Sequence, residues 1–490
     1  MLSLVLAAAL GTAVPAGVAS PADLRVIRSV RPHARFVQVR ADVVVAGVRG
    51  TGTSIYDLAT GRSAGRVAAG PLSSASGFDG VRVWNADVTG MAQIEGNPDL
   101  RHDAVAWAHF FGRHGPERPI VQPVRGTPET IALRLRYPGL SGAIGVALRR
   151  SNGYVETITD DRGFNRTVAR FRDYRRVADV VLPFAVDTVD SFTTVSERVR
   201  SVAVLDRVSP NAFAPPPPPD DARLDGITSV RMRPDDPRPI VPIQIDGGPV
   251  LHVFFDTGAT NYLTPQTARR LGLRLTGRDH SGGVGSGLVA QQYAVARRLR
   301  IGAAELRDQP FSVVDDTSMK PGIDGSIGCE VLQRFAVRFD FARRAVDLTR
   351  DPKRFGISAP AIPLRMTACT PEIDGALDGV SGAFAIDTGS ATALDVMAPF
   401  VRDHDLVRRY HAIGPFPNGR GIGGGTTGYF ALARSLRLGN VVERDLPIEL
   451  SAMTNGAFND PTELGNVGVP VLRRYVTVID YRSSRLWLLR

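Results

Sequence analysis

The stretch Val253-Phe254-Phe255-Asp256-Thr257-Gly258 returns later in the chain as Phe384-Ala385-Ile386-Asp387-Thr388-Gly389. In each copy a short apolar run leads an aspartate onto a Thr-Gly turn. Working outward, the surroundings repeat in the same order. A glycine-rich segment follows each aspartate: Gly282-Gly283-Val284-Gly285-Ser286-Gly287 in one copy, Gly421-Ile422-Gly423-Gly424-Gly425 in the other. Next come Leu299-Arg300-Ile301-Gly302 and Leu436-Arg437-Leu438-Gly439. Last come the blocks Ile327-Gly328 to Phe335 and Val467-Gly468 to Tyr475, in which Gly328 matches Gly468, Leu332 matches Leu472 and Arg334 matches Arg474. Four landmarks in one order, twice, mark an internal duplication; two copies predict a pair of lobes, not a solenoid.

Two aspartates delivered by equivalent half-sites have a chemical use. Carboxylates about 4 Å apart repel by roughly 4 kcal/mol at an effective dielectric near 20, equivalent to about three pKa units. Such a pair shares one proton near neutrality. The ionised member can then deprotonate a water while the protonated member polarises a carbonyl. Gly258 and Gly389 permit the tight turns that aim the carboxylates inward.

From about residue 228 to the C-terminus the chain resembles two retropepsin-like aspartic protease lobes in tandem, as in bilobal pepsin-type enzymes. The resemblance implies a mainly β fold, with lobes over 228–352 and 361–490 related by a pseudo-twofold. It implies an aspartic endopeptidase with Asp256 and Asp387 as catalytic residues. Thr257 and Thr388 would hydrogen-bond across the lobe interface. Gly328 and Gly468 would let the segment beneath each aspartate pass close to the second strand. Gly283, Gly285, Gly423 and Gly424 would belong to flaps over an extended peptide or protein substrate, with no metal or organic cofactor. The copies differ after the tripeptide, where Ala259 faces Ser390. A Ser390 hydroxyl donating to Asp387 would stabilise its charged form, so Asp256 is expected to carry the shared proton.

Other motifs read as structure. Gly423, Gly425 and Gly428 satisfy a dinucleotide-binding spacing, but strand-like residues follow where that site needs a helix. Gly61-Arg62-Ser63-Ala64-Gly65 has the spacing of a nucleophile elbow, yet Gly70-Pro71 leaves no room for its helix. His252 shares a strand face with Asp256 and reads as a packed or solvated side chain, and Asp340 and Asp480 read as strand ends. The eight histidines form no H-E-x-x-H motif and two cysteines are too few for a zinc cage. The sequence leaves open whether Cys329 and Cys369 pair. Asn165-Arg166-Thr167 is a glycosylation sequon without further support.

The formal net charge is +10, but only Lys320 and Lys353 are lysines among 59 basic residues, and the arginines are scattered. This argues against a nucleic-acid partner. Residues 1–20 read as a signal peptide with an apolar core from Leu2 to Leu10 and small residues near Val18-Ala19-Ser20, though without a basic start. No stretch is long and apolar enough for a transmembrane helix. Export to the periplasm or medium follows as an expectation. Pro215 to Pro219 make residues 211–227 an extended spacer.

Residues 25–210 are predicted to be a β-rich N-terminal domain. Phe36-Val37-Gln38-Val39-Arg40 and Ile131-Ala132-Leu133-Arg134-Leu135 alternate like half-buried strands. Asn152-Gly153 and Arg162-Gly163 read as hairpin turns, and Asp99 to Phe111 as a helix. This α+β pattern resembles the half-barrel of periplasmic lipoprotein carriers. An acyl chain, a peptide or the protease half itself are its candidate ligands; a spacer or folding aid is the plain alternative. For the repeated half, the rivals to an intrachain enzyme are a non-catalytic peptide- or lipid-binding protein and a dimer pairing each lobe with its twin.

Overall fold

The computed structural model describes residues 34–96, 120–136, 143–160, 166–316, 318–367 and 369–490. The expected signal peptide, the Asp99 to Phe111 helix, the Arg162-Gly163 turn and Asn165 lie outside the described residues. The chain divides into two compact units, residues 1–218 and 219–490. The fold is mainly β, as the resemblance implies.

Within the first unit, the described strands form one antiparallel sheet. Phe36–Val45 and Thr194–Leu205 pair at its centre, and hairpins extend from both. The register Val39 opposite Val202 and Val43 opposite Glu197 puts alternate side chains on one face. That face packs Val37, Val39, Leu133, Leu135, Phe171 and Leu182 into a core. The turn at Asn152-Gly153 joins Ile144–Arg149 to Val155–Asp160. Glu197 is buried with this apolar face, and its Oε1 has no hydrogen-bond partner among the described residues.

The second unit contains two sheets of the same design and a third that joins them. In the first sheet, Val250–Phe255 pairs parallel with Gly325–Ile327, and Tyr262–Leu263 pairs antiparallel with Gly325–Ile327. In the second, Val380–Ile386 pairs parallel with Gly465–Val467, and Leu394–Val396 pairs antiparallel with Gly465–Val467. Each aspartate therefore leaves the end of a strand held between two neighbours. The joining sheet has six strands, in the order Ile227–Arg231, Ala345–Thr349, Ala336–Asp340, Val476–Asp480, Arg485–Leu489, Ile362–Pro363. Its central pair, Val337 opposite Ile479, comes from the two halves. One core runs through all three sheets and includes Phe255, Ile327, Phe339, Ile386, Val467 and Ile479.

Thr264 before Pro265, with Gly272 beyond, predicts a helix start, and the helix Pro265–Arg270 has it: the Thr264 hydroxyl accepts from the Thr267 N–H at 3.2 Å, and Pro265 occupies the first turn. By the repeat, the sequence predicts a matching second-half helix from Val396 to Arg402, and the helix begins later than that. Residues through Val396 belong to the strand Leu394–Val396, and Ala398–Asp403 forms the helix.

The stretch expected to be a free spacer is anchored within each unit. Phe213 is buried in the first unit, where the Trp84 indole N–H donates to its carbonyl at 2.9 Å. Ala222–Arg223 adds a short strand to the edge of Ala304–Val314 in the second unit. Arg334 there donates to both carboxylate oxygens of Asp221, at 2.8 and 2.6 Å. The proline run is short enough that tertiary partners capture the residues on either side. Cys329 and Cys369 form a disulfide.

Candidate functional site

The apolar runs before the two aspartates fill the core, and the chain then turns sharply at Thr-Gly. Asp256 and Asp387 anchor identically: their N–H groups donate to the Ile327 and Val467 carbonyls, each at 2.9 Å. A β-carbon on Gly328 would stand 2.0 Å from the Ala259 carbonyl oxygen, and one on Gly468 would stand 2.2 Å from that of Thr392. Only glycine fits these crossings.

The two tripeptides face each other. Thr257 N–H donates to Thr388 Oγ1 at 3.1 Å, and Thr388 N–H donates to Thr257 Oγ1 at 2.9 Å. Each hydroxyl in turn donates to the carbonyl preceding the opposite aspartate, Thr257 to Ile386 and Thr388 to Phe255. Both threonines are fully buried. This crossed lattice brings each carboxyl over the other tripeptide's glycine. A β-carbon on Gly389 would lie 2.2 Å from Asp256 Oδ2, and one on Gly258 would lie 3.0 Å from Asp387 Cγ.

Asp256 keeps some accessible surface, yet surrounding protein strips most of its hydration. Burial, then the negative charge of Asp387, push the Asp256 carboxyl well above the usual carboxylate range; the Gly258 N–H and the Arg238 cation pull the other way. Arg238 is itself fixed by two hydrogen bonds to Asp236, both 2.9 Å, and lies 4.2 Å over the Phe254 ring. A buried carboxyl beside a second carboxyl is suited to holding a shared proton.

The hydrogen bonds around the two carboxyls are unequal. Asp256 Oδ1 accepts from the Gly258 N–H at 2.8 Å. Asp387 Oδ1 accepts from Gly389 N–H at 2.7 Å and Ser390 N–H at 3.2 Å, and Asp387 Oδ2 accepts from the Asn466 amide at 2.8 Å. The hydroxyl of Ser390 was expected to serve Asp387. It donates to Asp395 Oδ2 instead, at 3.5 Å, because the turn points it away from the tripeptide. Only the backbone N–H of Ser390 reaches Asp387.

Asn466 heads a polar row. It lies opposite Asp395, which lies opposite Glu449. The equivalent row in the first half is Ser326, Tyr262 and Ser312. Burial, then the charges of Glu449 and Asp387, raise the Asp395 carboxyl well above its ordinary range. The Asn418 amide donates to Glu449 at 2.6 Å, and Thr426 donates to Asn418 at 2.9 Å. Beneath the threonines, Tyr481 donates to the Thr257 carbonyl at 3.3 Å. Asn466, Asp395, Tyr481 and Arg238 carried no signal in the sequence; the sole hint was that Asn466 occupies the matched position two residues before Gly468, where the first half has Ser326.

Of the loop residues, Gly283, Gly285, Gly423 and Gly424 come together. Gly285 N–H donates to the Ile422 carbonyl at 3.0 Å, and Gly287 N–H donates to that of Gly423 at 2.8 Å. The tips also touch a third segment: Ala457 N–H donates to the Gly283 carbonyl at 2.9 Å, and Val284 packs on Met397, Met453 and Phe458.

The two Asp-Thr-Gly turns are thus locked to each other by their threonines. Residues 241–331 match the family described as aspartyl protease. No curated protein matches the chain. Among solved structures, a retropepsin-like aspartic protease from Rickettsia conorii is similar over 26% of this chain and 86% of its own, with 14% identity and a TM-score of 0.19. The LolA superfamily protein NE2245 from Nitrosomonas europaea is similar over 40% of this chain and 98% of its own, with 11% identity and a TM-score of 0.29.

Proposed function

We propose that the second unit is a two-lobed aspartic endopeptidase in which Asp256 and Asp387 of one chain form the catalytic dyad. The observation that carries this reading is the seating of each carboxyl against the opposite tripeptide's glycine, held there by reciprocal threonine hydrogen bonds. The match of residues 241–331 to the aspartyl protease family supports it. Asp256 carries the shared proton, and Asp387, with three donors, is the anion.

In the reaction, a water bound between the carboxyls loses a proton to Asp387 while its oxygen bonds to the peptide carbonyl carbon. Asp256 gives its proton to the carbonyl oxygen, so a neutral gem-diol forms. A diol hydroxyl then returns a proton to Asp256, Asp387 protonates the nitrogen, and the C–N bond breaks. In this reading the glycine-rich tips hold an extended peptide by strand-like pairing.

The same reading places the protein outside the cytoplasm, where the Cys329–Cys369 disulfide is at home. Among the described residues no helix is long and apolar enough to cross a membrane. We propose the first unit as a ligand-holding or substrate-presenting partner of the peptidase. Incubating the purified chain with an unfolded protein across acidic to neutral pH tests the central reading. Cleavage blocked by a statine-type transition-state mimic is the expected result; no cleavage at any pH by a folded, monomeric chain would overturn it.

A further inference from the structure

We infer that Asn466 is the positioning residue that makes the two carboxyls unequal, by donating its side-chain amide to Asp387 and so leaving the shared proton on Asp256. The inference rests on the peptidase reading for its catalytic meaning, but the proton's location can be tested without turnover.

Asn466 and Ser326 occupy matched positions at the centre of Gly465–Val467 and Gly325–Ile327. Both strands run parallel to the strand that delivers an aspartate, Asn466 beside Ala385 and Ser326 beside Phe254. The longer Asn466 side chain reaches Asp387 Oδ2 at 2.8 Å. The Ser326 hydroxyl turns back instead, donating to the Phe254 carbonyl at 3.3 Å, and gives nothing to Asp256. The remaining donors are backbone N–H groups: Gly258 for Asp256, Gly389 and Ser390 for Asp387. Among the described residues, Asn466 is therefore the one side chain whose hydrogen bond separates the carboxyls. Donation to an ionised acceptor is stronger than to a neutral one, so the proton settles on the other carboxyl.

The charges around the pair make this donor necessary. Asp387 is faced by Asp256, by Asp395 on Leu394–Val396, by Glu463 just before Gly465–Val467, and by the Tyr481 hydroxyl from below. Glu449 and Glu372 stand behind Asp395 and Glu463. Asp256 is faced by Arg238, by Tyr262 and, more strongly than Asp387 is, by the same Tyr481 hydroxyl. Taken alone, these neighbours favour the anion at Asp256, next to the cation, and oppose it at Asp387. Asn466, with the two backbone donors, reverses that order.

The test compares the full chain with its Asn466→Leu and Asn466→Ser variants. Carboxyl carbon NMR across acidic to neutral pH reads which aspartate carries the proton, with Asp256→Asn and Asp387→Asn giving the assignment. In the parent chain the proton is expected on Asp256; in Asn466→Leu it is expected to spread onto Asp387. In the kcat/KM profile the acidic limb, which belongs to the pair, is expected to move upward by about one pH unit in Asn466→Leu. Asn466→Ser, too short to reach, should behave like Leu, and a restored profile in Asn466→Gln would show that the amide itself matters. An unchanged proton location in a folded Asn466→Leu variant would overturn the inference, as would a proton found on Asp387 in the parent chain. Absence of turnover in the parent chain would count against the peptidase reading alone, since the NMR comparison still decides the role of Asn466.

Discussion

Thr257 and Thr388 each accept a hydrogen bond from the other's backbone N–H, at 3.1 and 2.9 Å, so each half of the second unit completes the turn of the other. Replacing either by valine keeps the shape but removes an acceptor from one buried N–H and a donor from one buried carbonyl. Each orphaned group costs about 1–3 kcal/mol. Thr257→Val and Thr388→Val are both expected to lower the urea midpoint of this unit and to reduce kcat/KM at least tenfold. Because the four bonds form one lattice, the double variant should lose less than the sum. Strictly additive losses in a double-mutant cycle would contradict the coupling.

Gly389→Ala and Gly258→Ala should differ. The added methyl in the first lands 2.2 Å from Asp256 Oδ2 and displaces that carboxyl; in the second it lands 3.0 Å from Asp387 Cγ, where a shift of a few tenths of an ångström relieves it. Cleavage is expected to fall about a hundredfold or more in Gly389→Ala, roughly 2.7 kcal/mol or more of transition-state stabilisation, and clearly less in Gly258→Ala. Thermal unfolding should change little in either. Equal kinetic losses would show that the carboxyls are not seated as described.

Asp221→Ala should destabilise the second unit although it lies at its extreme edge. Arg334 is nearly fully buried, and Asp221 is its carboxylate partner. Leaving a buried guanidinium unpaired costs about 3–5 kcal/mol. The neighbouring Asp220, which accepts from Arg307 through its backbone carbonyl only, serves as the control, and Asp220→Ala is expected to stay within about 0.5 kcal/mol. Urea unfolding of the full chain distinguishes them.

The first unit carries its own pH dependence. Burial pushes the Glu197 carboxyl up to about 8 in the folded state. Its unfolded value is near the ordinary 4.5. Between these values the folded state binds the extra proton, so stability falls as pH rises, by at most about 1.4 kcal/mol per unit. Below about 4.5 this penalty is absent, and above about 8 it is complete. Glu197→Gln should flatten the decline in the first unit's melting temperature across that window. Parallel melting curves for parent and variant would rule out Glu197 as the source.

The sequence made the duplicated turns legible because each is a local arrangement: an apolar strand, a tight turn, a glycine crossing. The Thr264-Pro265 helix start was legible for the same reason. Asn466 was not, because its contact with Asp387 spans 79 residues and exists only once Val380–Ile386 and Gly465–Val467 pair in parallel. Tyr481 is further from Thr257 in the chain and equally silent. The anchoring beside the proline run is silent for a related reason: local composition marks Pro215 to Pro219 as extended, but the capture of Asp221 by Arg334 is a tertiary event. Ser390 illustrates the limit of matching residue types, since its hydroxyl donates to Asp395 and not to Asp387, a direction set by the turn.

The most direct measurement of the central claim is cleavage of one unfolded protein substrate by the monomeric full-length chain and by its Asp256→Asn and Asp387→Asn variants. The account predicts that each single replacement abolishes cleavage while leaving the fold and the monomeric state intact. Substantial residual cleavage in either variant would contradict a hydrolytic centre built from both residues.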